Sequence, residues 1–306
     1  MPIVRSLKQM ISRRRPPAAD AGEAQRLVEL RAAIAALPDL GPAPASPAAA
    51  EWLDNRRRLR ELLATEDPRR FLEWDVIQKT MFVGNNPAIR TELAELQASP
   101  EWSKRWKPAL LEDTAGCPPR FRWRLSSSGN LIHHAFNLLR GEALLERKID
   151  RFSRIIEFGG GYGSFCRLAW RLGSRGKYVI FDLPEFGALQ RYFLRSVGVP
   201  TESPDGKGVR FMSELSDLAA ETNAARGGLF IAQWSLSETP LEFRKTVLST
   251  LAGAMDGVFI AYQDRFGEVD NRQFFADWTA SQPRFRWRES AIAHFPGNQY
   301  LVGTAI

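Results

Sequence analysis

One short stretch limits the folds open to this chain more than any other: Glu157-Phe158-Gly159-Gly160-Gly161-Tyr162-Gly163-Ser164-Phe165. It follows Arg154-Ile155-Ile156, which predicts a strand, and it opens a segment with Phe165, Leu168, Ala169 and Leu172 at helical spacing. Glycines there let the backbone turn sharply and approach a ligand without side-chain interference. The helix N-terminus that follows offers unpaired N–H groups to that ligand. About twenty residues further on, Tyr178-Val179-Ile180-Phe181-Asp182 predicts a second apolar strand that ends in a carboxylate. At the tip of such a strand an acid can accept hydrogen bonds from both hydroxyls of a ribose. The plain structural alternative makes Asp182 a turn or helix N-cap before Leu183-Pro184-Glu185.

Two nucleotide-like ligands use loops of this kind, NAD and S-adenosylmethionine. A dinucleotide pattern G-x-G-x-x-G counted from Gly159 requires glycine or alanine at Ser164. The observed spacing is Glu157-x-Gly159-x-Gly161-x-Gly163. A carboxylate just before the glycines serves a pyrophosphate poorly, and a ligand bearing an ammonium and a sulfonium well. The residues therefore favour S-adenosylmethionine.

From Arg154 onward short apolar segments alternate with helical ones, the pattern of an α/β sheet. The expected strands are Arg154–Phe158, Tyr178–Phe181, Val209–Met212, Leu229–Trp234 and Val258–Tyr262. Phe285–Glu289 and Tyr300–Gly303, joined across Pro296-Gly297-Asn298, predict a terminal antiparallel hairpin. Ahead of this, residues 48–150 read as a helical region that covers the site, with apolar stripes Trp52, Leu59, Leu62, Leu63 and Phe71, Trp74, Ile77, Phe82. Residues 1–47 read as a basic tail and a Pro/Ala-rich linker around one charged helix over 21–37, and residues 151–306 as the cofactor-binding domain.

Composition excludes several classes. The chain has 306 residues, 44% of them hydrophobic and 25% charged, as in soluble globular proteins. It has neither an apolar run approaching the roughly 18–20 residues of a membrane span nor a signal peptide's apolar stretch, so a cytoplasmic protein is expected. Two cysteines, Cys117 and Cys166, with His133, His134 and His294 the only histidines, make neither a disulfide scaffold nor a zinc finger. The net charge is +7, and Arg5, Lys8, Arg13, Arg14 and Arg15 supply five of those charges before the first acid. Such a tail suits weak contact with an anionic surface, or else simple solvation. No aromatics interleave with it, so specific nucleic-acid binding is not expected.

With these residues in view, the sequence resembles the class I methyltransferases over about 154–306, and more narrowly a bacterial family of sugar O-methyltransferases. Ile156 to Gly163 and Tyr178 to Pro184 carry the broader likeness. Ser235-Leu236-Ser237-Glu238 and Asn130-Leu131-Ile132-His133-His134-Ala135-Phe136 carry the narrower one. The resemblance implies a Rossmann-like sheet closed by an antiparallel hairpin. It implies S-adenosylmethionine held by Glu157, Gly159, Gly160, Gly161, Tyr162, Gly163, Asp182 and Leu183. Met212 and Ser213 would lie near the adenine, with Gln233 and Trp234 in the pocket. The acceptor would be a sugar hydroxyl on a glycan or small precursor. A secondary-metabolite acceptor, and a non-catalytic adaptor with a relic fold, stay open beside it.

A hydroxyl nucleophile gains from a base, worth about 10²–10⁴-fold. Three candidates follow. The His133-His134 pair comes first, on a helix with Asn130, His134 and Asn137 near one face; adjacent positions diverge by about 100°, so one of the two is expected to face the cofactor. Glu238 comes second, with an S-x-x-E capping box from Ser235 as its structural alternative. His294 is third, expected at the surface. Asp264 could ligate a divalent metal, which the sequence leaves open without indicating it. Trp102, Trp106, Trp123 and Trp278 could stack on a sugar face, but most of them are expected in the core or at the domain interface.

Overall fold

The segments 154–158, 177–181 and 229–233 are apolar at nearly every position, which suits strands covered on both faces. The computed structural model, which describes residues 18–42, 47–81, 83–202, 208–224 and 227–306, places them at the centre of a seven-stranded sheet. Numbering the strands of that sheet, β1 is Arg154–Phe158, β2 Lys177–Phe181, β3 Val209–Met212, β4 Leu229–Gln233, β5 Gly257–Gln263, β6 Phe285–Ala291 and β7 Asn298–Ala305. The order across the sheet is β3-β2-β1-β4-β5-β7-β6. Strands β1 to β5 are parallel, and β7 runs antiparallel to both β5 and β6. The expected terminal hairpin is there, longer than its apolar core suggested. The basic tail residues Arg5 to Arg15, and Phe82, lie outside the described residues.

Alternation along the strands sorts side chains into two layers. Ile155, Tyr178, Ile180, Ile231, Phe259 and Val302 face one core; Ile156, Val179, Phe181, Phe230, Ile260 and Leu301 face the other. Burying a large apolar side chain is worth about 1.5–3 kcal/mol, and a one-residue slip would exchange the two sets. Among the described residues the α-helices longer than one turn are α1 Glu23–Ala35, α2 Pro47–Thr65, α3 Asp75–Thr80, α4 Ala88–Ala98, α5 Gly129–Leu145, α6 Ser164–Arg171, α7 Pro184–Ser196, α8 Leu215–Ala224, α9 Leu241–Ala252 and α10 Asn271–Ala280. Residues of α5, α6 and α7 belong to the first core, those of α8, α9 and α10 to the second. Among the described residues no helix is long and apolar enough to cross a membrane.

The N-terminal helices are fastened to the sheet's helical layer. Leu30 and Ile34 of α1 are buried where α1 packs on α7, and Tyr192 Oη donates to Glu23 Oε1 at 2.6 Å. On α2, Arg56 and Arg60 converge on the buried Glu185 of α7, with Arg56 Nη2 3.0 Å and Arg60 Nε 2.6 Å from its Oε1. The stripe Phe71, Trp74, Ile77 is buried as expected but not as one helix. Asp67 caps a 3₁₀ turn over Pro68–Glu73, and extended backbone at Trp74 separates it from α3. Two short antiparallel pairs, Arg120–Phe121 with Arg124–Ser128 and Arg265–Phe266 with Val269–Asp270, went unforeseen because they lack a buried apolar alternation.

Helix α5 is buried on nearly all sides, so the polar face read from the sequence does not exist as a separate surface. Asn130 donates to Tyr162, Asn137 accepts from Tyr300, and His134 packs edge-on to Phe165. Gly141 sets how closely α5 approaches the sheet, because a Cβ there would lie 2.5 Å from the Phe259 ring. Alanine in a helix gains about 1 kcal/mol over glycine, whereas overpacking a core costs about 1–3 kcal/mol. With the Phe259 ring fully buried, the clash should win. Gly141→Ala is expected to lower the melting temperature by a few degrees, at about 2–4 °C per kcal/mol. An unchanged or raised value in thermal denaturation would count against this packing.

Candidate active site

The strand order reverses between β1 and β4, and open α/β sheets bind ligands beyond the carboxyl ends of the strands at such a point. The glycine loop sits there. Gly159 and Gly161 have φ of 70° and 58°, which side chains rarely adopt. A Cβ on Gly159 would fall 2.3 Å from Ser235 Cβ, and one on Gly160 2.6 Å from Ile180 Cγ2. Above this loop is a cavity of about 1450 Å³, larger than the roughly 300–1,000 Å³ that hold one drug-sized ligand. It has room for two ligands side by side.

Glu157, Gly159, Gly160, Gly161, Tyr162, Asp182, Leu183, Ser213, Gln233 and Trp234 line that cavity, as do His133, His134 and Glu238. Two residues expected with them do not. Gly163, with φ of 94°, precedes α6, and a Cβ on it would press on Leu194 at 3.2 Å, so it serves helix packing. Met212 points into the second core, because strand alternation leaves the mouth to the next residue, Ser213.

Two acids line the cavity beside the glycine loop. Glu157 Oε2 accepts from Tyr178 Oη at 2.8 Å, and burial pushes its carboxyl up to about 7. Asp182 accepts from the Leu183 amide at 2.8 Å and from Gln190 Nε2 at 2.7 Å. Burial pushes it up to about 7 as well, against the pull of those hydrogen bonds. It is not the N-cap of α7; Leu183 holds that position. Both polar atoms of the Gln233 amide are buried without a partner. A buried amide without partners is costly, so a ligand that satisfies Gln233 would be favoured. The glycine cradle, the two acids and this amide fit S-adenosylmethionine.

A second group of residues surrounds the histidines. His133 Nδ1 lies 2.7 Å from Glu92 Oε1, and its ring stacks on Trp234 with centroids 5.2 Å apart. Trp234 takes φ of 63°, an unusual conformation for a bulky residue, and its Nε1 donates to Asn298 Oδ1 at 2.6 Å. Both histidines line the cavity, contrary to the expectation of one, because the cavity wraps the first turns of α5. Burial pushes His134 down to about 3, too low for effective proton capture near neutral pH. The capping box does not form: Ser235 Oγ donates to the Phe158 carbonyl at 2.6 Å, and Trp234 precedes the 3₁₀ turn Ser235–Glu238. Burial raises Glu238, while a hydrogen bond with Gln263 pulls it down.

His294 is not a surface residue; its Nε2 lies 2.8 Å from the same Glu92 oxygen. Asp264 lies outside the cavity lining and accepts from Gln299 Nε2 at 3.0 Å. Among the described residues, no group of three or more His, Cys, Asp or Glu is placed to hold a metal. None of Trp102, Trp106, Trp123 and Trp278 lines the cavity, whereas Trp52 and Trp234 do. Trp106 is fully buried and Trp278 packs on Trp287, so both serve cores. Glu92 went unnoticed in the sequence, although it shares the buried face of α4 with Ile89, Leu93 and Leu96. An acid on an otherwise apolar stripe was the available signal.

The sheet order, the terminal hairpin and the glycine loop after β1 define a Rossmann-like class I methyltransferase fold behind a helical N-terminal region. No protein-family model matches the sequence, and no curated protein does. Solved structures to which the chain is similar include PigF with SAH, at 14% identity and a TM-score of 0.40, covering 99% of this chain and 100% of that one. An O-methyltransferase family protein from Burkholderia thailandensis is 16% identical, with a TM-score of 0.39 and coverage of 100% and 98%. The mitomycin 7-O-methyltransferase MmcR is 15% identical, with a TM-score of 0.37 and coverage of 99% and 98%.

Proposed function

We propose that the chain is an S-adenosylmethionine-dependent O-methyltransferase that acts on a hydroxyl of a small acceptor, with a sugar hydroxyl as the first class to test. One observation carries this reading: His133 has Nδ1 committed to buried Glu92, which leaves Nε2 as its free ring nitrogen, and it lines the same cavity as the glycine loop and Asp182. Trp234 and Phe295 offer flat apolar faces, and Asn86, Asn298 and Glu268 offer polar groups, the combination that a sugar ring engages. The apolar lining from Met81, Val83, Phe266 and Val269 favours a second acceptor class, a flat phenolic hydroxyl.

When bound, S-adenosylmethionine supplies a methyl group on a sulfonium, an electrophile that a hydroxyl oxygen can attack. Glu157, the glycine loop, Asp182 and Gln233 would hold it. His133 Nε2 takes the proton from the acceptor hydroxyl. Glu92 keeps the imidazole in the Nδ1–H tautomer and offsets the positive charge that then develops on the ring, as in other carboxylate–histidine pairs. Trp234 holds the ring plane. Orientation inside the cavity supplies the rest, where well-placed reactants reach effective molarities of about 10⁵–10⁸ M.

The test is calorimetric binding of S-adenosylhomocysteine beside NAD, followed by transfer of labelled methyl to panels of sugars and phenols. Binding of S-adenosylhomocysteine alone, with label on a hydroxyl, is expected. NAD binding alone would overturn the cofactor assignment, and cofactor binding with no acceptor turned over would favour the adaptor.

A further inference from the structure

We infer that His294, in the turn between β6 and β7, is a positioning residue that holds the Glu92 carboxylate on the His133 base. This rests on the proposed O-methyl transfer and extends it to a residue that touches neither cofactor nor acceptor, since His294 does not line the cavity.

Glu92 is fully buried, and a single oxygen carries all its support. Oε1 lies 2.7 Å from His133 Nδ1 and 2.8 Å from His294 Nε2, while Oε2 has no partner. A carboxylate oxygen accepts, so each histidine donates the N–H that faces it. The arrangement thus sets both tautomers at once and leaves His133 Nε2 as the ring's acceptor. Without His294 a single donor would remain for the buried carboxylate, and a carboxylate so poorly supported turns away. It then ceases to orient His133 and to offset the charge that forms there.

The same turn grips the base from two further sides. Phe295 meets the His133 ring edge-on, with centroids 5.5 Å apart, and also contacts the His294 ring at 4.9 Å. Asn298 accepts from the Trp234 indole on which His133 stacks. The ring, its carboxylate and its stacking partner are therefore all fixed by residues 294–298, more than 150 positions along the chain from His133. Such convergence is what a preorganised base requires, because a displacement of about 1 Å can cost about 10²-fold in rate.

The experiment compares His294→Leu, which keeps bulk without a donor, with His294→Gln, which keeps an N–H. His294→Leu is expected to lower kcat by about tenfold to 10²-fold, with acceptor KM and S-adenosylhomocysteine affinity within about twofold of wild type. His294→Gln should recover part of the loss. In a Glu92→Gln background His294→Leu should add little, because the two act as one unit. Full additivity, a loss confined to KM, or no loss at all would overturn the role. Imidazole ¹⁵N NMR gives a reading that does not need turnover. Wild-type His133 should be a single Nδ1–H tautomer, and a mixture should appear in His294→Leu. Inactive wild type with this NMR pattern intact would sink the methyl-transfer reading and leave the positioning contact standing; a wild-type His133 of mixed tautomer would sink the contact itself.

Discussion

His133→Ala should lower kcat by about 10²–10⁴-fold, the usual worth of a general base, and leave S-adenosylhomocysteine binding nearly unchanged. The two effects separate because His133 joins the Glu92–Trp234 group, whereas the proposed cofactor residues sit at the ends of β1, β2 and β4 and on the loops that follow. His134→Ala is the control: its half-buried ring packs edge-on against Phe165 and its pKa is pushed down to about 3, so it should affect stability more than kcat. Steady-state kinetics on the best acceptor, with calorimetry of each variant, makes the distinction. Equal losses in both variants would return the choice of base to Glu238, which lines the same cavity.

Asp182→Ala is expected to weaken S-adenosylhomocysteine binding tenfold or more, a loss of about 1.4 kcal/mol or greater. Wild-type binding should itself strengthen between about pH 6 and pH 8. Burial raises Asp182 and Glu157 to about 7 from ordinary values of 3.8 and 4.5. It is the ionised forms that accept ribose hydroxyls and meet an ammonium, so ligand binding draws protons off these groups. For the unliganded protein, a raised acid contributes stability that is fully present below its unfolded value and is lost as pH rises through the folded value. The stabilisation by S-adenosylhomocysteine in thermal denaturation should therefore be larger at pH 8 than at pH 6, and Asp182→Asn should flatten that difference. A wild-type shift independent of pH would show that the two acids are not linked to the ligand.

The parts of the site legible in the sequence were those built within one strand–loop unit. Glu157, Gly159, Gly161 and Asp182 announce themselves because a turn that approaches a ligand needs glycine at fixed offsets from a strand, and because an apolar strand ending in an acid is a local pattern. Gly163 and Met212 obey the same patterns yet lie outside the cavity, since the local pattern does not say whether a loop glycine or a strand end meets the ligand or a neighbouring helix. Gly163 meets Leu194, and Met212 meets the second core. Among the tryptophans, the expectation that most serve the core or the domain seam agrees with Trp106 and Trp278, because a large aromatic is as useful in a core as on a sugar.

By itself the sequence determined the α/β sheet, its terminal hairpin, the helical region ahead of it and the loop where a nucleoside-like ligand would sit. Each follows from periodicity and turn chemistry within a few tens of residues. Only the tertiary structure decided which histidine meets a buried carboxylate beside the cavity. Glu92 meets His133 across 41 positions of chain and His294 across 202. Contacts of that span are set by how α4, α5 and the β6–β7 turn pack against the sheet. Local spacing carries no record of that packing, so a buried carboxylate and a histidine placed at the surface by inspection became partners only once the chain had folded.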